Sequence, residues 1–236
     1  NTIIMITSDH GDMLGDFGLF AKRLMYENSI RVPMILLGTK EDKIVGRGKV
    51  SNRLVGLADI MPTLLNLAKI KIPSSCDGQS MLDKKPRKFL YAEANEGINA
   101  TRMITNNNFK LVWYPYGNSF QLFDLANDPK ELENVYQKNE FQKQIKILKN
   151  VLVENLYGKD MSFIKQGELI GISSDKMKSD NGKTGLGLLG ERELLGQRGL
   201  HFPPPPIDKE WLKQKNALIY EAVMKTSSRI PKKERF

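Results

Sequence analysis

The chain has 236 residues, 40% of them hydrophobic, so it can bury the core of one large domain or two modest ones. A formal charge of +9 suggests an acidic partner such as nucleic acid, anionic lipid or a sulfated or phosphorylated glycan. Nucleic-acid recognition is disfavoured because the basic residues are dispersed and no RNA-binding or zinc-finger pattern occurs. A membrane span is excluded because no window approaches about 18 apolar residues.

Two apolar runs predict strands in the first part of the chain. TIIMIT (residues 2–7) and VPMILLG (32–38) are typical of strands buried on both faces of a parallel sheet. Residues 56–70 have helical apolar spacing, and Pro62 fits only the first turn, so that helix should start near Asp59. Strand, crossover and helix in this order predict an α/β layer sandwich.

From about residue 86 the pattern changes to short runs separated by turns rich in Asn and Gly. These runs predict an antiparallel meander with strands at 88–94, 101–105, 109–114 and 120–125. Asp128, Pro129 and Glu131 have the spacing of a helix N-cap, first turn and capping box. An amphipathic helix in this region should cover one face of the meander with the stripe Phe141, Ile145, Leu148, Leu152 and Leu156.

The last part of the chain predicts long loops and one helix. Residues 158–200 are rich in Gly, PPPP (203–206) is a stiff spacer, and Asp208 should cap a final helix. GLGLLG (185–190) matches a dinucleotide-binding pattern, but the strand before it and the helix after it are missing, which favours a plain loop. His201 lies in a loop, where it could contact a substrate or serve only structure.

The single cysteine and the first residues say little about compartment. Cys76 excludes an intrachain disulfide, and its turn-like surroundings favour an idle or buried thiol over a nucleophile. Asn1 leads directly into a strand, with neither an initiator Met nor a signal-like segment. We therefore expect the true amino terminus, and any targeting signal, to lie upstream.

The residues that follow the first strand are candidates for metal chemistry. Asp9 offers a hard oxygen, His10 an imidazole nitrogen, and Gly11 allows a sharp turn. Ligands commonly bind at the carboxyl ends of strands in α/β sheets. The three residues alone are equally compatible with an ordinary polar turn.

Three ordered blocks resemble the type I sulfatases of the alkaline phosphatase superfamily. They are SDHGDMLGDFGLFAKRLMYENSIRVPMIL, then DIMPTLLNLAKIKIP with the following DGQS, and LFDLANDPKELENV. The resemblance covers about residues 1–135 and implies the carboxyl-terminal part of an alkaline-phosphatase-like α/β/α sandwich at 1–85. A smaller α+β subdomain with an antiparallel sheet and a packed helix would follow at 86–157, and 158–236 would hold loops and the last helix.

The resemblance also implies roles for individual residues. Asp9 and His10 would be ligands of a divalent ion, usually Ca²⁺, and Lys22 would bind a sulfate oxygen, with Lys22 and His10 catalytic. His201 is a second candidate substrate contact. Four further residues of the first block would lie around the site, on the surface or in support of the fold: Asp12, Asp16, Glu27 and Arg31. Phe17 departs from the His usual in this motif and is interpreted as substrate-facing or structural.

Part of the implied site is absent from this sequence. The family nucleophile is a formylglycine made within Cys/Ser-x-Pro-x-Arg, and no such pattern occurs here. Two ligands are also too few for Ca²⁺, which takes about six to eight oxygens. The resemblance therefore predicts a sulfuric ester hydrolase fragment, inactive alone, which needs a complementary amino-terminal polypeptide of the same protein to act on a sulfated small molecule or glycan.

Two other functions remain open on the sequence. One is a phosphodiesterase or phosphonate monoester hydrolase of the same superfamily. The other is a non-catalytic homologue whose basic surface binds sulfated glycans. Family resemblance implies a periplasmic, secreted or lysosomal location for any of them.

Overall fold

The computed structural model describes residues 2–18, 22, 24–38, 45, 48–95 and 100–172. The strands are β1 Ile4–Thr7, β2 Met34–Leu37, β3 Leu90–Ala94, β4 Thr101–Thr105, β5 Phe109–Tyr114, β6 Ser119–Asp124, β7 Ile164–Lys165 and β8 Glu168–Leu169. The α-helices are α1 Glu27–Ile30, α2 Ile60–Leu67 and α3 Gln142–Asn155. Short 3₁₀ turns occupy Asp16–Gly18, Leu57–Asp59, Asn139–Phe141 and Gly158–Phe163.

The predicted meander is confirmed as a four-stranded antiparallel sheet in the order β3-β4-β5-β6. Alternate residues of each strand point to opposite sides of the sheet, and other parts of the chain pack on both sides. One face packs on α3, and its buried side chains join those of the helix in one core: Ile104, Leu111, Trp113, Leu122, Ile145, Leu148 and Leu152. The predicted stripe of α3 is therefore confirmed at its three central positions.

The opposite face of this sheet packs on the amino-terminal segment. Its second core contains sheet residues and residues that flank the candidate site in sequence: Met103, Val112, Tyr114 and Phe123 with Met13, Leu24, Met25 and Tyr26. Tyr26 and Phe123 have ring centroids 5.6 Å apart. Apolar burial therefore holds Met13, Leu24, Met25 and Tyr26 against the sheet.

Helix α2 begins where Pro62 and Asp59 predicted. A 3₁₀ turn at Leu57–Asp59 leads into the helix, and Pro62 lies in its first turn. The buried Asp59 carboxylate accepts hydrogen bonds from the backbone N–H groups of Gly56 and Gln79, each at 2.8 Å, and pairs with Arg87. This one acid therefore joins the start of α2 to the DGQS turn.

The predicted helix start at Asp128 is wrong, because residues 126–135 form turns and irregular chain. The Asp128 carboxylate accepts from Glu133 N–H at 2.9 Å, and Glu131 has φ +56°, which no right-handed helix allows. The Glu131 side chain is buried against Lys110, at 2.6 Å. A tertiary ion pair therefore overrides the local capping signal, and α3 begins later, at Gln142.

The predicted environment of the first two strands is also corrected. β1 and β2 pair with each other in antiparallel register, and within the described ranges neither has a second strand neighbour. Four apolar residues on one face of this ribbon are each about half exposed to solvent. Ile4 pairs with Leu37, and Ile6 pairs with Ile35. Continuous apolar runs identify strands, but the path of the connecting chain decides their direction and neighbours.

The part beyond residue 157 contains short elements only, up to the end of the described chain. The 3₁₀ turn Gly158–Phe163 leads into the β7–β8 hairpin, as predicted for a region with at most short elements. The GLGLLG segment and the expected final helix lie outside the described residues. Across the described ranges, no helix has the length and apolar character needed to cross a membrane.

Candidate functional site

The turn that follows β1 carries the first two candidate residues. Asp9 accepts a hydrogen bond from the His10 backbone N–H at 3.0 Å, and Ser8 Oγ donates to the His10 carbonyl at 2.8 Å. Gly11 N–H donates to Ser29 O at 2.7 Å, and a Cβ on Gly11 would lie 1.9 Å from Asn28 O. The turn therefore needs glycine at this position, because the backbone of residues 28–29 packs directly against it.

The structure brings Asp9, His10 and Lys22 together, although Lys22 lies twelve residues further along the chain. His10 Nε2 is 3.2 Å from Asp9 Oδ2 and also contacts Lys22 Nζ. The side chains of His10 and Asp9 are 35% and 80% exposed, so a ligand can reach them. Their catalytic and binding roles stay predictions, but the proximity that those roles require is present.

The electrostatics of this turn favour a charged carboxylate. Desolvation raises the pKa of Asp9, but the neighbouring His10, backbone hydrogen bonds and the ammonium of Lys22 together lower it below the ordinary value. Asp9 is therefore ionised at neutral pH and available to a cation.

The donor set fits part of a divalent-cation site. His10 Nδ1 lies 2.7 Å from Gly11 O, which can only accept, so Nδ1 carries a proton and Nε2 is the ring nitrogen left for a cation. One oxygen and one nitrogen then face the same space. Within the described residues no group of three His, Cys, Asp or Glu side chains could hold a metal ion, so the remaining ligands would have to come from elsewhere.

A buried ion cluster lies behind the site, and sequence reasoning missed it. Lys110 Nζ is 2.6 Å from Glu27 Oε1, 2.6 Å from Glu131 Oε1 and 2.9 Å from Met25 O, and its side chain is 0% exposed. Glu131 Oε2 accepts from Glu27 N–H at 2.6 Å. We call Lys110, Glu27 and Glu131 the ion cluster. The signal in the sequence was one Lys inside the apolar strand FKLVWY.

The pKa of Glu131 reflects this burial. Desolvation raises the pKa, while the charge of Lys110 and hydrogen bonds from Lys110 and the Glu27 backbone lower it, and the net direction is upward. The carboxylate therefore depends on Lys110 to stay ionised in the core.

The other residues of the first block lie around the site. Asp12 accepts from Leu14 N–H at 2.9 Å, and Asp16 bonds Asn28. Arg31 is exposed and lies 3.6 Å from Glu27. The Phe17 ring stacks on Tyr26 at 4.5 Å, which gives this departure from the family motif a packing contact.

The remaining candidates lie elsewhere. His201 is outside the described residues, so its predicted substrate contact stays a prediction. Cys76 is half-buried, with Sγ 3.9 Å from Gly78 O. It is not among the residues that line the cleft at the site.

The site opens into a large cleft between the β1–β2 ribbon and the four-stranded sheet. Its volume is about 2030 Å³, and its walls include Asp9, His10 and Lys22 together with Tyr91 and Glu93 of β3. The Glu93 carboxylate accepts from the Tyr91 hydroxyl at 2.7 Å and from the Tyr157 hydroxyl at 2.6 Å. Tyr91 and Glu93 thus border the cleft at the edge strand β3, whereas Tyr157 is not among its lining residues and the Tyr91 ring packs against the α3 core.

A Gly11→Ala variant tests the tight contact behind the turn. The added methyl would meet Asn28 O, so either the turn or the 28–29 backbone must shift. We expect a loss of about 3 kcal/mol or more in the free energy of unfolding, measured by urea denaturation, because the blocking atom belongs to the backbone. The control is Gly167→Ala, where φ is +79° but no atom lies within 4 Å of the added Cβ, so only backbone strain of about 1–2 kcal/mol applies. Equal losses of unfolding free energy in the two variants would contradict this contact.

Comparison with known proteins places these features among sulfatases. Residues 15–157 match the family described as N-sulphoglucosamine sulphohydrolase, C-terminal. An arylsulfatase of Clostridium perfringens is 35% identical over 176 residues, which cover 72% of this chain and 37% of that protein. The chain thus spans a little over a third of that relative.

Two solved structures share the fold. One is BT4656 in complex with its substrate D-glucosamine-2-N,6-O-disulfate, with 30% identity and a TM-score of 0.59 over 65% of this chain and 33% of that one. The other is the phosphonate monoester hydrolase of Agrobacterium radiobacter, with 23% identity and a TM-score of 0.52 over 62% of this chain and 33% of that one. At that identity the second likeness shows the fold alone.

Proposed function

The chain belongs to the N-sulphoglucosamine sulphohydrolase C-terminal family of the type I sulfatases, and from this membership we propose that it supplies one side of a sulfuric ester hydrolase active site. The observation that carries the proposal is the convergence of Asp9, His10 and Lys22 at the mouth of one cleft. An exposed carboxylate, an imidazole and an ammonium together suit a tetrahedral oxyanion and a divalent cation beside it.

The three groups divide two tasks between them in this proposal. The Lys22 ammonium binds a sulfate oxygen and stabilises the negative charge that grows there in the transition state. Asp9 and His10 would hold a divalent cation, most simply Ca²⁺, completed by oxygens from outside this sequence, once the Lys22 ammonium that contacts His10 Nε2 turns to the sulfate. When bound, such a cation would neutralise charge and orient the nucleophile.

The rest of the site belongs to a complementary amino-terminal polypeptide of the same protein. The sequence has no Cys/Ser-x-Pro-x-Arg pattern for a formylglycine, and it spans little more than a third of the arylsulfatase it matches. The half-exposed face of β1 and β2 offers that polypeptide a continuous apolar surface made of Ile4, Ile6, Ile35 and Leu37. We therefore expect this chain alone to be inactive.

An association experiment tests the apolar face. Ile6→Lys should weaken association with the complementary polypeptide at least tenfold, because a charge would be buried at the centre of the face. Leu132→Lys is the control, since Leu132 is also an exposed apolar side chain but lies outside the β1–β2 ribbon. Binding is measured by sedimentation of the two purified polypeptides. A monomeric wild-type chain that binds no upstream polypeptide would contradict the assembly.

The substrate proposed is a sulfated sugar or another small sulfate ester. Support comes from the complex of BT4656 with a disulfated glucosamine and from the Glu93 carboxylate at the border of the cleft, which can accept from sugar hydroxyls or an amine. Such substrates would place the protein outside the cytoplasm, in a periplasmic, secreted or lysosomal setting.

The decisive assay compares aryl sulfate with aryl phosphonate in the assembled protein. Preference for the sulfate supports a sulfatase. Preference for the phosphonate would instead favour phosphonate monoester hydrolysis. The Agrobacterium phosphonate monoester hydrolase shares the fold of this chain. Glycan binding without hydrolysis of either would indicate a non-catalytic homologue.

A further inference from the structure

We infer that the ion cluster positions the turn after β1 that carries Asp9 and His10. Lys110 and Glu131 fix the segment Leu24–Ile30 to the antiparallel sheet, and this segment supports His10 and Lys22. This inference rests on the proposed function for its catalytic consequence. Its structural part stands on the contacts of the described residues alone.

The first link runs from the sheet to the segment. Lys110 lies on β5, and its ammonium has three partners: the Met25 carbonyl, the Glu27 carboxylate and the Glu131 carboxylate. An ammonium has three N–H donors, so all of its bonding capacity is used. Two of these partners belong to the same short stretch of chain, and Glu131 also accepts from the Glu27 backbone N–H. The segment is thereby held by both backbone and side chain.

The second link runs from the segment to the turn. Helix α1 follows directly from the bonded residues, with Ser29 N–H donating to Tyr26 O at 2.9 Å and Ser29 buried. Ser29 O then accepts from Gly11 N–H at 2.7 Å. Gly11 is covalently next to His10, and its carbonyl lies 2.7 Å from His10 Nδ1. A displacement of α1 therefore reaches the imidazole through two hydrogen bonds.

The position of Lys22 depends on the same anchor. Lys22 precedes Met25 by three residues, a span that can reach about 10 Å when fully extended. Fixing the Met25 carbonyl on Lys110 limits where the Lys22 ammonium can lie, and it lies against His10 Nε2. Lys110 thus helps to fix the positions of both His10 and Lys22.

Charged groups suit this task better than apolar packing would. The second core already holds the segment to the sheet through side chains that can slide or repack, such as Met13 and Met25. The ammonium of Lys110 donates hydrogen bonds to fixed acceptors, and moving any of them leaves a buried polar group without its partner. We therefore assign Lys110 and Glu131 the part of positioning residues.

The experiment measures amide hydrogen exchange at Gly11 in the 236-residue chain. Lys110→Met should raise the exchange rate of this amide at least tenfold beyond the change at the Val112 amide of β5. Leu148→Ala is the matched control, because it truncates a fully buried side chain in the other core without touching the cluster. It should raise exchange at Val112 but leave the local opening at Gly11 unchanged.

A second variant covers the case in which Lys110→Met fails to fold. Glu131→Gln removes the charge and keeps one acceptor oxygen, which can serve Glu27 N–H or Lys110 but not both as the two carboxylate oxygens do, and it should speed Gly11 exchange by a smaller factor in the same direction. Equal effects of cluster and control variants at Gly11 would overturn the inference. So would a Gly11 amide that exchanges as an unprotected residue in the wild-type chain.

Kinetics of the assembled enzyme supply the catalytic readout. Lys110→Met should lower kcat for an aryl sulfate at least tenfold at a temperature where it is fully folded, whereas Leu148→Ala should keep kcat and KM. An unchanged kcat in Lys110→Met would overturn the catalytic part. If the wild-type assembly hydrolyses no sulfate ester, the proposed function fails instead, and the exchange data still decide whether the cluster positions the turn.

Discussion

Lys22→Ala is expected to lower kcat/KM for an aryl sulfate by about 10²–10³ in the assembled enzyme, the loss typical of one removed oxyanion donor. The ammonium contacts His10 Nε2 at the mouth of the cleft, where a sulfate oxygen would bind beside the cation site. Steady-state kinetics with a chromogenic sulfate ester measure the effect.

The control for this prediction is Lys71→Ala, which removes an exposed lysine that does not line the cleft. It should leave kcat/KM within about twofold of wild type, because distant surface charges are largely screened. Lys22→Ala should also leave the free energy of unfolding nearly unchanged, since Lys22 is exposed. A Lys22→Ala enzyme with wild-type kcat/KM would remove this residue from the proposed site.

Lys110→Met should reduce the free energy of unfolding of the chain by about 3–5 kcal/mol at neutral pH, the range for removing one partner of a buried ion pair. Methionine fills much of the volume of the lysine stem, so the loss comes chiefly from the Glu131 carboxylate, which is left without its cation at 1% exposure. Urea denaturation followed by circular dichroism measures it. A loss below about 1 kcal/mol, the size of a surface pair, would show that the cluster is solvated in solution.

The same variant has a defined pH dependence. Lys110 is a charge that holds the pKa of Glu131 down against desolvation, so its removal raises that pKa further above the unfolded value of about 4.3. Between these two pKa values the folded variant binds more protons than the unfolded chain, so its stability falls as pH rises. The deficit relative to wild type should therefore be smaller near pH 4 than at pH 7. A deficit independent of pH would point to lost packing rather than lost charge.

Local patterns predicted much of the fold because each depends on near neighbours in sequence. The meander strands and the α3 stripe follow from alternation and from 3.6-residue spacing, and both are confirmed. The start of α2 at Asp59 follows from the position of Pro62. The Asp9–His10 pair was identified from its place after a strand and from the family resemblance, and Lys22 from the resemblance alone.

Other features could not be predicted because they depend on groups far apart in sequence. The Asp128 capping signal was locally sound, but burial of Glu131 against Lys110 across 21 residues imposed a left-handed backbone instead. The pairing of β1 with β2 depends on the path of the intervening chain. Phe17 was ambiguous until its ring was placed on Tyr26.

The amino-acid sequence by itself determined where most strands and helices form, because their periodicity depends on residues close together in the chain. Its motifs also indicated the family and the three candidate residues Asp9, His10 and Lys22. Only the tertiary structure decided that Asp9, His10 and Lys22 meet, and that a lysine in the middle of an apolar strand stands behind them. The physical reason is that a charge can be buried only beside groups that neutralise and hydrogen-bond it. The partners of Lys110 are Glu27 and Glu131, which lie 83 and 21 residues away along the chain, so local sequence patterns do not reveal them.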